Sequence, residues 1–134
     1  MTNIRIEAEQ MALSGYEKET ASFASGGQLI RIANDGTSGT ATTNFSGASG
    51  TYALKVVYHD ESDGESRLIV RVKNGMNDYQ VVDDWTFSEN TRNTRAGASN
   101  RRERTISNVS LTANSQIQLE GFLQSGEVAR VDYI

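Results

Sequence analysis

"TYALKVVYH", residues 51–59, alternates its side chains with a period of two and decides the fold class. In an extended chain Tyr52, Leu54, Val56 and Tyr58 fall on one face. "SRLIVRVK" (66–73) repeats the pattern, with Leu68, Val70 and Val72 inward and Arg67, Arg71 and Lys73 outward. The two segments predict neighbouring antiparallel strands.

Further extended segments lie on either side: "IRIEAEQ" (4–10), "GQLIRIA" (27–33), "TATTNF" (40–45), "YQVVDDWTF" (79–87), "RTISNVSL" (104–111), "IQLEGF" (117–122) and "VARVDYI" (128–134). Twelve glycines, no proline and turns such as "NDGTSG", "DESDGE", "KNG" and "QSGE" keep the spacing short. About nine short strands so spaced predict an all-β fold, an antiparallel β-sandwich or jelly roll. Helical periodicity is absent, and Asn90 to Arg104, the longest polar stretch, reads as a loop.

At 134 residues the chain is expected to form a single domain, 1–134. It has no run of apolar residues long enough to span a bilayer, and its start lacks the basic and apolar regions of a secretory signal. A net charge of −4 and a pI near 5.0 argue against nucleic acid or an anionic membrane as partner. Without cysteine there are no disulfides and no thiolate metal sites. With His59 the only histidine, neither a multi-histidine zinc site nor a Ser-His-Asp site elsewhere in the chain can be assembled.

Carboxylates are the chemistry that remains. In an extended "IRIEAEQ", Ile4, Ile6 and Ala8 point one way while Arg5, Glu7 and Glu9 point the other. A wet face explains two acids there equally well. If "VARVDYI" returns beside this segment, however, Asp132 joins Glu7 and Glu9, and three crowded carboxylates repel unless a cation neutralises them. Calcium, with 6–8 oxygen ligands, fits better than magnesium, and the glycine-rich turn "SFASGGQ" (22–28) can supply carbonyls.

Taken in order, "IEAE", "ASGGQLIRI", "GTATTNFSGASGTYALKVVYHDESDGESRLIVRV", "VDDWTF" and "GEVARVDYI" resemble the carbohydrate-binding modules of family 6 and its relatives in families 35 and 36. The resemblance covers nearly the whole chain. It implies a calcium-stabilised jelly roll that binds polysaccharide or oligosaccharide, is secreted or held at the cell surface, and is fused to a catalytic domain. It also implies that Glu7, Glu9 and Asp132 hold the calcium, together with a carbonyl in the turn Ser25 to Gly27. The isolated module is expected to be monomeric and non-catalytic.

For the sugar the resemblance points to Trp85, whose indole face would cover the apolar side of a pyranose. A core position is the competing reading, because Trp85 shares strand parity with Val81 and Phe87. Tyr16, Phe45 and Tyr79 are candidates for a second ring. In "HDESDGE" (59–65), Asp60, Glu61 and Asp63 are either a solvated turn, acceptors for sugar hydroxyls, or a second calcium site. The basic run "TRNTRAGASNRRER" (91–104) carries Arg92, Arg95, Arg101, Arg102 and Arg104. Arg101 and Arg102 are its candidates for pairing with an anionic polysaccharide, a solvated loop being the alternative. Two other functions compete: a small polysaccharide-degrading enzyme, and an adhesive sandwich that binds a surface protein.

Overall fold

The computed structural model describes residues 5–20, 22, 25–32, 38–59, 66–75, 78–86, 101–122 and 131–133, without the side chains at 25, 101, 132 and 133. Ten strands lie among them: β1 (Ala12–Ser14), β2 (Tyr16–Thr20), β3 (Gln28–Ile32), β4 (Ser38–Asn44), β5 (Gly50–His59), β6 (Arg67–Lys73), β7 (Gln80–Thr86), β8 (Arg101–Leu111), β9 (Gln116–Phe122) and β10 (Val131–Tyr133). They form two five-stranded antiparallel sheets, ordered β1-β4-β9-β6-β7 and β2-β3-β10-β5-β8. The expected antiparallel β-sandwich is therefore the observed architecture.

The inward rows of β5 and β6 are as the alternation requires, and Leu54, Val56, Tyr58, Leu68, Val70 and Val72 share one core. Their pairing is not as expected. β5 lies between β10 and β8, whereas β6 lies between β9 and β7 in the opposite sheet. The two strands face each other across the core, where both apolar rows are buried at once.

The opening segment is not a strand. Glu7 makes an isolated bridge, and Ala8–Gln10 form a 3-10 turn closed by Gln10 N–H to Glu7 O (3.0 Å) and Met11 N–H to Ala8 O (3.1 Å). The turn breaks the alternation, so the neighbours Ala8 and Glu9 are both buried. β1 and β2 follow, and neither was expected. The chain changes sheets between them at Gly15, whose φ of +74° favours glycine. Backbones pass so close there that a Cβ on Gly39 would sit 2.7 Å from the Gly15 carbonyl carbon and 2.8 Å from Tyr16 Cδ2.

A register shift of β10 against β5, between Val131 and Tyr133, and bulges in β8 and β7 reset side-chain parity. Opposite Ala53, β8 carries both Ser107 and Asn108, with Asn108 in the left-handed region at φ 59°. In β7 the extra residue is Val82, because Val70 pairs with Asp83 and Arg71 with Val81. β8 also starts inside the stretch expected to be a loop, with Arg101, Arg102 and Glu103 opposite His59, Tyr58 and Val57. No helix of the described residues is long and apolar enough to cross a membrane.

Candidate functional site

One corner gathers carboxylates. Gly26, at φ +67°, places the backbone of the Ser25–Gly27 turn against both glutamates: a Cβ there would lie 3.2 Å from Glu9 Oε2 and 3.9 Å from Glu7 Cδ. Glu9 is 6% exposed, and the buried oxygens include Glu7 Oε2 and Glu9 Oε1. β10 runs between β3 and β5 and packs against the 3-10 turn, which brings the backbone of Asp132 to this corner. Its side chain lies outside the described atoms, and among the described residues no cluster of three acids or histidines forms. Two acids beside a glycine turn are the oxygen-rich chemistry that a hard cation such as calcium prefers.

A second cluster joins the last strands of the two sheets. β7 and β8 end their respective sheets on the same side, and they touch. Trp85 pairs with Leu68 and is 8% exposed in the core; its ring meets Tyr58 edge to face, with centroids 5.7 Å apart. Arg104 reaches across from β8. Its guanidinium lies 4.9 Å from the Trp85 ring centre, while Nε and Nη2 donate to Asp83 Oδ2 (2.7 Å) and Oδ1 (3.1 Å). Arg102 and Arg104 occupy the same face of β8, opposite Tyr58 and Val56.

Trp85 is thus a core residue and not the exposed platform expected from the resemblance. The parity argument for a core position gave the right burial with a wrong partner. The bulge at Val82 leaves Val81 57% exposed while Trp85 turns inward. Among the other candidate rings, Tyr16 and Phe45 are buried, and Phe45 packs edge to face on Tyr52 with centroids 4.9 Å apart. Tyr79 donates to Gln116 Oε1 at 2.7 Å. Tyr58 is the ring that meets Trp85.

Asp60, Glu61, Asp63, Arg92 and Arg95 lie outside the described residues, as does the side chain of Arg101. Flanking the acidic turn, His59 and Ser66 are both buried. The sequence reading missed the adjacent aspartates of "VDDW". They take arginines on opposite sides: Asp83 binds Arg104, and Asp84 accepts from Arg67 Nε (2.8 Å) and Nη2 (2.5 Å). On the same outer face Arg71 pairs with Glu120 at 2.7 Å, so these charges neutralise one another.

The hydrogen bond from Arg104 holds the Asp83 carboxyl below the usual carboxylate range, and Arg67 does the same for Asp84. Carboxylates depressed in the folded state add stability above their unfolded pKa near 4, and that stability is lost as pH falls through the folded values. Melting temperature should therefore drop as pH is lowered below about 4, and Asp83→Asn should flatten part of that drop. Thermal melts from neutral to strongly acidic pH would check this. A protein that grows more stable on acidification would contradict it.

No family model matches the chain. It is 34% identical over 139 aligned positions to the probable alpha-glucuronidase A of Aspergillus oryzae; the match takes in 97% of this chain and only 16% of that protein's length. Among solved structures, a family 35 carbohydrate binding module from Clostridium thermocellum superposes with a TM-score of 0.67 at 16% identity, covering 98% of this chain and 95% of the module. The GH26-CBM35 β-(1,4)-mannanase of Podospora anserina matches with a TM-score of 0.65 at 21% identity, over 97% of this chain and 26% of that one. The chain has the antiparallel β-sandwich fold of the family 35 carbohydrate-binding module.

Proposed function

We propose that the chain is a non-catalytic glycan-binding module, stabilised by calcium, that brings an attached secreted enzyme to its polysaccharide. The observation that carries this reading is the size match: nearly the whole chain superposes on nearly the whole of an independent binding module, but fills only a fraction of an enzyme. The same fractions support fusion to a glycoside hydrolase, and the polysaccharides such enzymes meet support an extracellular location. In the calcium role, Glu7, Glu9, Asp132 and a carbonyl of the Ser25 turn would hold the ion and tie the opening turn to the last strand.

Pull-downs of the isolated chain on a panel of insoluble and immobilised polysaccharides test the reading. Retention on at least one polymer, with no reducing sugar released, is expected. Sugar release would establish the small-enzyme alternative, and a uniformly blank panel would favour an adhesive domain for a protein partner.

A further inference from the structure

Three turns at one end of the sandwich are tied together by side chains bonded to backbone, and one of those side chains belongs to Asn74, which is followed by Gly75 in the chain's single Asn-Gly step. We infer that Asn74 is the chain's foremost site of spontaneous deamidation, and that its conversion to a carboxylate unties this end.

Asn74, in the turn between β6 and β7, donates from Nδ2 to Ser110 O at 3.2 Å, and its Oδ1 accepts from Ser115 Oγ. Ser115 is buried in the turn between β8 and β9, where its Oγ accepts from Thr112 N at 2.7 Å and its carbonyl accepts from Phe45 N at 2.8 Å. Ser49, just before β5, adds a bond by accepting from Ala113 N at 3.2 Å. Asn74 therefore uses both halves of its carboxamide, one as donor and one as acceptor.

The chemistry favours glycine as the next residue. The Gly75 nitrogen attacks Asn74 Cγ and gives up its proton to solvent base, while the amide nitrogen takes a proton from solvent and leaves as ammonia when the Cγ–Nδ2 bond breaks. Water then opens the cyclic imide at either carbonyl. One water is consumed, one ammonia is released, and a neutral amide becomes an aspartyl or isoaspartyl carboxylate. A side chain on the attacking residue would crowd this step. Gly75 has none and is exposed, and among the described residues no atom beyond its chain neighbours lies within 4 Å of where a Cβ would stand.

The product cannot keep the tie. A carboxylate has no N–H to give the Ser110 carbonyl, so two acceptors face each other there. The isoaspartyl form also adds a methylene to the backbone between β6 and β7. Until then the two hydrogen bonds restrain the carboxamide, and the attack waits on their local opening.

The test incubates the full chain, warm and at mildly alkaline pH, as wild type, Ser115→Ala and Gly75→Ala, each shown by melting to be folded. Peptide mapping follows the amide-to-acid mass shift, and anion exchange isolates the fraction that has gained a negative charge, a gain that isomerisation of an aspartate does not give. Asn74 should convert several-fold faster than any other asparagine. Ser115→Ala should speed the conversion by freeing Oδ1, and Gly75→Ala should suppress it. The acidic fraction, and Asn74→Asp made directly, should melt several degrees below fresh wild type. If Asn74→Asp does not fold, the acidic fraction carries the same decision, because it was folded before it converted. Conversion spread evenly over the asparagines, or undiminished in Gly75→Ala, overturns the site. An unchanged rate in Ser115→Ala overturns the restraint, and an acidic fraction that melts with the wild type overturns the untying of the turns.

Discussion

Trp85→Ala should lower the unfolding free energy by about 3–5 kcal/mol, because it removes a large buried ring and leaves a cavity that its neighbours cannot fill. The ring is embedded in the same cluster as Leu68, Val70 and Tyr58. Its loss would also cost the edge-to-face contact with Tyr58 and the surface on which Arg104 rests. Chemical denaturation measures the change, and the protein supplies its own reporter, since Trp85 is the single tryptophan. Native emission should be blue-shifted and weakly quenched by acrylamide. Trp85→Phe should cost much less, because most of the volume stays. An alanine variant that unfolds at the wild-type denaturant concentration would place the ring outside the core.

Removing the proposed calcium should have an effect of similar size. An ion bound only by the folded chain stabilises it by about 2.7 kcal/mol at a concentration one hundred times its Kd. For a chain of this length that corresponds to a melting shift of roughly 10 °C. The shift should appear when the protein is refolded from denaturant in the presence of chelator, and adding calcium should reverse it. Glu9→Gln and Asp132→Ala should each lower the melting temperature without rescue by calcium. Gly26→Ala should weaken the response too, because a side chain at φ +67° is strained and its Cβ would press on Glu9. Identical melting with chelator and with calcium after refolding would overturn the calcium proposal.

How much of this was legible in the sequence varied with how much of each segment is apolar. β5 and β6 were visible because one face of each is a continuous apolar row, and a buried row fixes the parity of a strand. β2 was invisible: in "YEKET" Tyr16 is the only apolar residue, so no alternation can be seen. The start of β8 was hidden for the same reason, since Arg101 to Arg104 are all charged and reach strand geometry by pairing with β5. Which sheet a strand joins is a different problem. The six residues 60–65 could have closed a hairpin between β5 and β6, yet the chain crosses to the other sheet.

The candidate site was half legible, for a reason that lies in its charges. Glu7, Glu9 and the glycine turn could be brought together on paper because crowded acids demand compensation, and the fold places those residues in one corner. At the β7–β8 edge the arginines read as a loop and Trp85 as a platform. What joined them was a bulge at Val82, and the "VVDD" that contains it has no glycine or proline to mark the break.

Titration calorimetry of the isolated chain with an oligosaccharide taken from whichever polysaccharide retains it, followed by chromatography of the recovered sugar, tests glycan binding without catalysis most directly. A saturable heat with one site per chain and an oligosaccharide recovered at its original length is the expected result. Shortened products, or no heat with any charged or neutral oligosaccharide, would contradict it.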